Sequence, residues 1–142
     1  MSLTRIWVHA VFATKNREPI LFEEACKKLC AHIQEKADKH SFKIVEVNGY
    51  QNHIHCLILL DKSTSVSKTI QLIKGESSFW INKNQLTNQK FHWQDDYWAA
   101  SISESGVCEI RKYIQIQMEH HQKKTFEEEL ELLLQKFGLK QD

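Results

Sequence analysis

The sequence predicts an α+β fold, an antiparallel sheet built in the order βαββαβ and extended by helices at its C-terminal end. Three observations carry that prediction. Strand-like runs rich in β-branched and aromatic residues occupy 3–14, 42–47, 53–60 and 97–103, an Asn48-Gly49 dipeptide sits between the second and third, and apolar residues recur every three or four positions in the intervening and later stretches.

The first strand, LTRIWVHAVFAT, stops at the polar KNREP, whose Pro19 cannot continue a strand or helix. Phe22, Cys26, Leu29, Ile33 and Ala37 then line one face of a first helix. Asn48-Gly49 supplies the positive φ angles of a tight turn and is expected to make the hairpin between strands two and three. Ser65 is a natural N-cap for a second helix that buries Val66, Ile70, Ile73, Ser77 and Trp80. After a polar loop and the fourth strand, a third helix starts near Ser105 and buries Val107, Ile110, Ile114 and Met118. Thr125-Phe-Glu-Glu128 reads as a capping box opening a fourth helix with Leu130, Leu133, Leu134 and Phe137 on one side, ended by Gly138. This order fits a ferredoxin-like (RRM-like) antiparallel sheet with two helices on one face. The other face needs a cover, for which the C-terminal helices, a second subunit and a bound ligand compete.

At 142 residues and 42 % hydrophobic, the chain suits a single domain spanning residues 1–142 with a core large enough to need no staples. No secretory signal is evident and no apolar run approaches the roughly 18–20 residues of a membrane span, so a cytoplasmic protein with no membrane partner is expected. Cys26, Cys30, Cys56 and Cys108 show no Cys-x-x-Cys spacing. Cys56 and Cys108 fall within apolar patterns, and all four are expected to be reduced and structural. The formal charge of +1 conceals an acidic end beyond residue 124 and a mildly basic body. That balance is compatible with a nucleic-acid partner, although a modest excess is commonly just a solvated surface.

The chemistry concentrates in NHIHCLILL, residues 52–60. Alternation along a strand sends Ile54, Cys56, Ile58 and Leu60 to one face, while His53 and His55 project together from the other, about 7 Å apart along the backbone. Two such imidazoles can share a cation, but a lone His-x-His is more commonly a pair of hydrogen-bonded histidines beside a hairpin, and a metal site needs a third ligand. The third helix offers Tyr113 and Gln117, four residues apart and so stacked on one face at the edge of the apolar stripe. A packed aromatic beside a solvated amide is the plain alternative.

Five blocks in one order, VHAVFATKNREPIL, NHIHCLILL, KGESSFWIN, FHWQDDYWAASIS and YIQIQMEHHQKKTFEEEL, resemble the single-tyrosine HUH transposases of bacterial insertion sequences and their relatives that act on repetitive extragenic palindromes. The resemblance implies that His53, His55 and Gln117 ligate a divalent cation and that Tyr113 is the nucleophile. A phenol attacks a DNA phosphodiester poorly without an in-line pose and a cation to offset developing charge. Two imidazoles and an amide oxygen are neutral ligands that suit Mg²⁺ or Mn²⁺, although Zn²⁺ also accepts histidine. The implied reaction is cleavage and rejoining of single-stranded DNA through a 5′-phosphotyrosine, which conserves bond energy for strand transfer without ATP. The implied substrate carries a hairpin beside the cleavage site. The implied assembly is a homodimer in which Tyr113 can complete the partner's site in trans.

On the same resemblance, Lys15, Asn16, Arg17 and Lys74 are candidate DNA contacts. His120, one turn beyond Gln117, is a candidate outer-shell or alternative ligand, whereas His121 falls nearer the apolar stripe. Trp93 and Tyr97 are candidate base-stacking platforms, with core packing as the plainer reading. The chain departs from the family pattern at Asp95-Asp96-Tyr97-Trp98, at Ile116, where asparagine is common, and at Asn52, where aspartate is frequent. Two other readings compete: a non-catalytic single-stranded nucleic-acid binder on the same sheet, and a metallohydrolase using His53, His55, His120 and His121.

Overall fold

The computed structural model describes residues 1–117 and 124–138. In chain order the elements are β1 (Trp7–Ala13), α1 (Glu23–Ala37), β2 (Lys43–Tyr50), β3 (His53–Leu59), α2 (Val66–Lys83), β4 (Trp98–Ile102), α3 (Val107–Gln115) and α4 (Phe126–Lys136). The strands form one sheet in the order β2-β3-β1-β4, with every neighbouring pair antiparallel. This is the expected ferredoxin-like arrangement.

The pairing register decides which side chains share a face. Val8 lies opposite Ile58, Ala10 opposite Cys56 and Phe12 opposite Ile54, and these residues pack with Leu29 and Ile33 of α1 and Ile70 and Ile73 of α2 into the main core. Phe22, expected on the buried face of the first helix, precedes α1 and is exposed, because the helix buries Ala25, Cys26, Leu29, Cys30, Ile33 and Ala37 instead. Ser65 caps α2 as expected, its side chain accepting from the Lys68 amide. Cys26, Cys30 and Cys56 are buried free thiols. Cys108 is exposed, correcting its placement in an apolar pattern: it occupies the first turn of α3 beside Val107, which faces the sheet.

The hairpin turn differs from expectation in an instructive way. Asn48 and Gly49 lie inside β2, opposite His55 and Ile54, and the chain reverses at Gln51 and Asn52. Gly49 has no positive φ. A Cβ there would stand 2.3 Å from the His53 carbonyl oxygen and 2.7 Å from Ile54 Cδ1, so the glycine answers a close approach of side chain and backbone.

The opposite sheet face is covered by α3 and α4. Beneath α3, Ile114 packs with Trp7 and Leu57, flanked by Val107, Ile110 and Tyr113. Beneath α4, Phe126 and Leu133 pack with Val11, Ala13 and Trp98, flanked by Leu130, Leu134 and Phe137. The expected α4 boundaries hold: Thr125 accepts from the Glu128 amide, and Gly138 takes a left-handed φ of 66° just beyond the helix. Between these two apolar clusters lies a strip of polar side chains. No helix among the described residues is long and apolar enough to cross a membrane.

Candidate active site

Strand alternation puts His53 and His55 on the face away from the main core, and the antiparallel register adds His9 of β1 to the same face. All three are buried, at 0 %, 0 % and 1 % exposure. Buried imidazoles need partners for their ring nitrogens, and Asn52, His9 and Glu129 supply them for His53 and His55.

Asn52 holds His53. Its Nδ2 donates to the Arg17 carbonyl at 3.3 Å, which leaves Oδ1 as the acceptor 2.8 Å from His53 Nδ1. His53 Nδ1 therefore donates to Asn52, and Nε2 faces inward. The ring also stacks on Phe126 at 4.2 Å between centroids. His55 is held by His9, whose Nε2 lies 2.9 Å from His55 Nδ1.

The third partner comes from α4. Glu129 is 1 % exposed and points from the centre of the helix's apolar side into the histidines. Its Oε1 lies 2.9 Å from His55 Nε2 and 3.4 Å from His53 Nε2. Its Oε2 accepts a hydrogen bond from the Tyr113 hydroxyl. Donor atoms of His53, His55 and Glu129 all fall within 4.8 Å of one another, a spacing that one cation can span. Glu129 had no place in the sequence reading. The signal was nevertheless present, because Phe126, Glu129, Leu130, Leu133, Leu134 and Phe137 follow helical spacing and put a carboxylate in the middle of the stripe.

Tyr113 reaches the same place from α3, its ring 5.7 Å from that of His55 in the same chain. Burial and the Glu129 carboxylate push its hydroxyl well above the usual phenol range, and the Gln117 amide offsets this only in part. Gln117 is fully buried, and its Nε2 donates to the Tyr113 carbonyl at 3.3 Å. Its Oε1 meets no hydrogen-bond partner among the described residues. Such an oxygen is costly unless something binds it. The orphaned oxygen, and two imidazole nitrogens turned toward one carboxylate, both fit a cation. The donor set then has one more member than the sequence suggested, a carboxylate beside two imidazoles and an amide. His120 and His121 lie outside the described residues.

The other candidates sit around this centre. Asn16 and Arg17 follow β1 with φ of 58° and 54°, a left-handed pair rare outside glycine and costing about 1–3 kcal/mol each. Gln94 holds the turn by accepting from the Asn16 amide at 2.8 Å. Arg17 places its guanidinium over Phe126, 5.3 Å from the ring centre, and 3.5 Å from Glu127, so it borders the histidine cluster through Phe126. Lys15 is exposed beside it. Lys74 has a different task, since its ammonium donates to the carbonyls of Gln94, Asp95 and Asp96 at 2.6, 3.2 and 2.8 Å. It pins the loop ahead of β4, and burial lowers its pKa. Trp93 belongs to the core, donating to Ser77 and packing edge-on against Phe12 and Phe91. Tyr97 remains 40 % exposed on a cleft of about 840 Å³ that also includes Arg17 and Phe126.

Comparison with known proteins gives the family and the fold. The chain is 26 % identical over 117 residues to the transposase for insertion sequence element IS200 of Salmonella typhimurium, covering 78 % of this chain and 76 % of that one. It is 21 % identical over 114 residues to the ISDra2 transposase TnpA of Deinococcus radiodurans, covering 77 % and 81 %. In fold it is similar to the crystal structure of a putative transposase from Deinococcus radiodurans R1, with a TM-score of 0.65 at 20 % identity over 82 % of this chain and 94 % of that one. It is also similar to a REP-associated tyrosine transposase bound to a REP hairpin, with a TM-score of 0.55 at 19 % identity over 82 % and 72 %. The family model described as "Transposase IS200 like" matches residues 2–117, most of the sequence and all four strands, and the chain belongs to that family of transposases.

Proposed function

We propose that this transposase cleaves and rejoins single-stranded DNA with Tyr113 as the nucleophile. The observation that carries the reading is the convergence of the Tyr113 hydroxyl, Glu129 and the two strand histidines in one buried cluster. In the proposed step the phenolic oxygen attacks phosphorus in line with the departing 3′-oxygen. The new bond is a 5′-phosphotyrosine, the broken bond is P–O3′, and the 3′-oxygen leaves as a hydroxyl after taking a proton from solvent. The phenol's own proton passes along the existing hydrogen bond to Glu129 Oε2. The environment keeps this phenol protonated at rest, so nucleophilicity arises only as that proton moves.

His53, His55 and Glu129, with Gln117 Oε1 beside them, would hold a divalent cation, Mg²⁺ or Mn²⁺ by their mixed nitrogen and oxygen character. Such an ion polarises a non-bridging phosphate oxygen and offsets developing negative charge. Asn52 orients His53 for that duty, and Phe126 excludes water from its ring face. Arg17, with Asn16 and Lys15 on the adjoining turn, is placed for phosphate contact. Lys74 supports that contact by fixing the 94–96 loop. The hairpin bound by the REP-associated relative supports a hairpin-bearing strand as substrate. Within one chain Tyr113 already meets its own histidines, so the first cleavage is assigned to a cis site, and exchange of Tyr113 between subunits of a homodimer to the later joining step.

Incubation with hairpin-bearing single strands and Mn²⁺, followed by a denaturing gel, is expected to show a protein–DNA adduct that Tyr113→Phe abolishes. An adduct retained by Tyr113→Phe overturns the nucleophile assignment, and the single-stranded nucleic-acid binder predicts binding without any adduct.

A further inference from the structure

His9 is a buried histidine whose partners make sense only through His55. Its Nε2 lies 2.9 Å from His55 Nδ1, the two rings are stacked with centroids 5.2 Å apart, and its Nδ1 meets no partner among the described residues. Trp98 and Tyr113 approach it edge-on. Burial and the neighbouring His55 hold its pKa down to about 3, so the ring is neutral and carries one N–H.

When both rings are neutral, imidazoles joined nitrogen to nitrogen share one proton between them, and its side decides the far nitrogen of each ring. When His55 Nε2 donates to Glu129, His55 Nδ1 must accept and His9 Nε2 must donate. When His55 Nε2 offers a lone pair to a cation, His55 Nδ1 must donate and His9 Nε2 must accept, its own proton then sitting on Nδ1. Nδ1 has no hydrogen-bond partner among the described residues to fix a proton there or keep one away, so the ring can serve both arrangements. His53 differs, because Asn52 Oδ1 can only accept and holds a single tautomer.

Resting on the cation reading above, we propose that His9 is a positioning residue that switches His55 between a Glu129-bonded and a cation-ligating tautomer. It does so by exchanging donor for acceptor at Nε2. It touches neither substrate nor cation.

The test uses the full chain and two readouts. Two-bond ¹⁵N–¹H spectra of the histidine rings, recorded with and without Zn²⁺ as a diamagnetic probe, are expected to show both His55 and His9 moving their proton from Nε2 to Nδ1. Mn²⁺ affinity, read from the free-ion electron paramagnetic resonance signal, is expected to fall about 10–100-fold in His9→Phe, the usual range for a lost outer hydrogen bond to a ligand. It is expected to recover at least about tenfold in His9→Gln, whose amide can donate or accept. Unchanged affinity in His9→Phe, equal weakness in His9→Phe and His9→Gln, or a His9 proton that stays on Nε2 while His55 binds Zn²⁺ overturns the proposal. The spectra of the unaltered chain decide the matter if His9→Phe does not fold. Absence of Mn²⁺ binding by the unaltered chain overturns the cation reading itself, and this proposal with it.

Discussion

The two faces of the sheet are built from alternating positions of the same strands and differ in what closes them. On the α1/α2 face, the buried cross-strand neighbours of β1 and β3 are apolar, as in Val8 against Ile58 and Phe12 against Ile54. Packing there is close and chiefly apolar. On the α3/α4 face, the apolar contacts split into two smaller clusters, and His9, His53, His55, Gln117 and Glu129 fill the space between them. Those groups are joined by directional bonds, and Gln117 Oε1 meets no partner among the described residues. Apolar packing is concentrated on the first face and directional polar bonding on the second.

This contrast can be broken by substitution on β3, whose residues alternate between the faces. The largest effect is expected on chemistry. His53→Ala removes an inward imidazole nitrogen and should lower adduct formation about 10³-fold, equivalent to about 4 kcal/mol of transition-state stabilisation, measured from initial rates at saturating Mn²⁺. Ile58→Ala, on the apolar face and wholly buried, should cost about 2–5 kcal/mol in urea unfolding. Its adduct formation per folded molecule should stay near the unaltered rate. Equal loss of activity in both variants would show that the faces are not separable.

A third and smaller effect sharpens the comparison through pH. His9 has a folded pKa of about 3 against an unfolded value of about 6.5. The unfolded chain therefore binds more protons between those values, and its stabilising contribution is lost as pH falls through that window. By pH 5 the loss should reach about 2 kcal/mol, at about 1.36 kcal/mol per pH unit. Urea midpoints measured from pH 7 to 5 should thus fall more steeply in the unaltered chain than in His9→Phe. Parallel slopes would place the acid sensitivity elsewhere.

The same contrast explains what was legible in the sequence. Strand alternation and helical periodicity located every strand, the α2 cap at Ser65 and the α4 boundaries, because apolar burial leaves a repeating mark. His53, His55, Tyr113 and Gln117 could be placed on faces by the same rule. Asn48-Gly49 misled because a turn dipeptide and a close-contact glycine look alike in one dimension. Glu129 was hidden for a different reason: only the docking of α4 across the sheet shows that a carboxylate on an apolar stripe meets two imidazoles. The task of His9 depended on strand register, which fixes that it shares a face with His55.

Asn48 gives the Tyr113 helix an unusual attachment. Its Nδ2 donates to the carbonyls of Ile114 and Gln115 at 3.0 and 3.1 Å, while its backbone pairs opposite His55. The last turn after Tyr113 is thereby buttoned to the strand beside the ligand strand, and phenol and imidazole travel as one piece. On the proposed exchange between subunits, a chain that lends its phenol would first have to undo this button, at about 1–3 kcal/mol for two amide bonds. Any motion that carries Tyr113 away from its own histidines would thus meet a barrier set by a single side chain on β2.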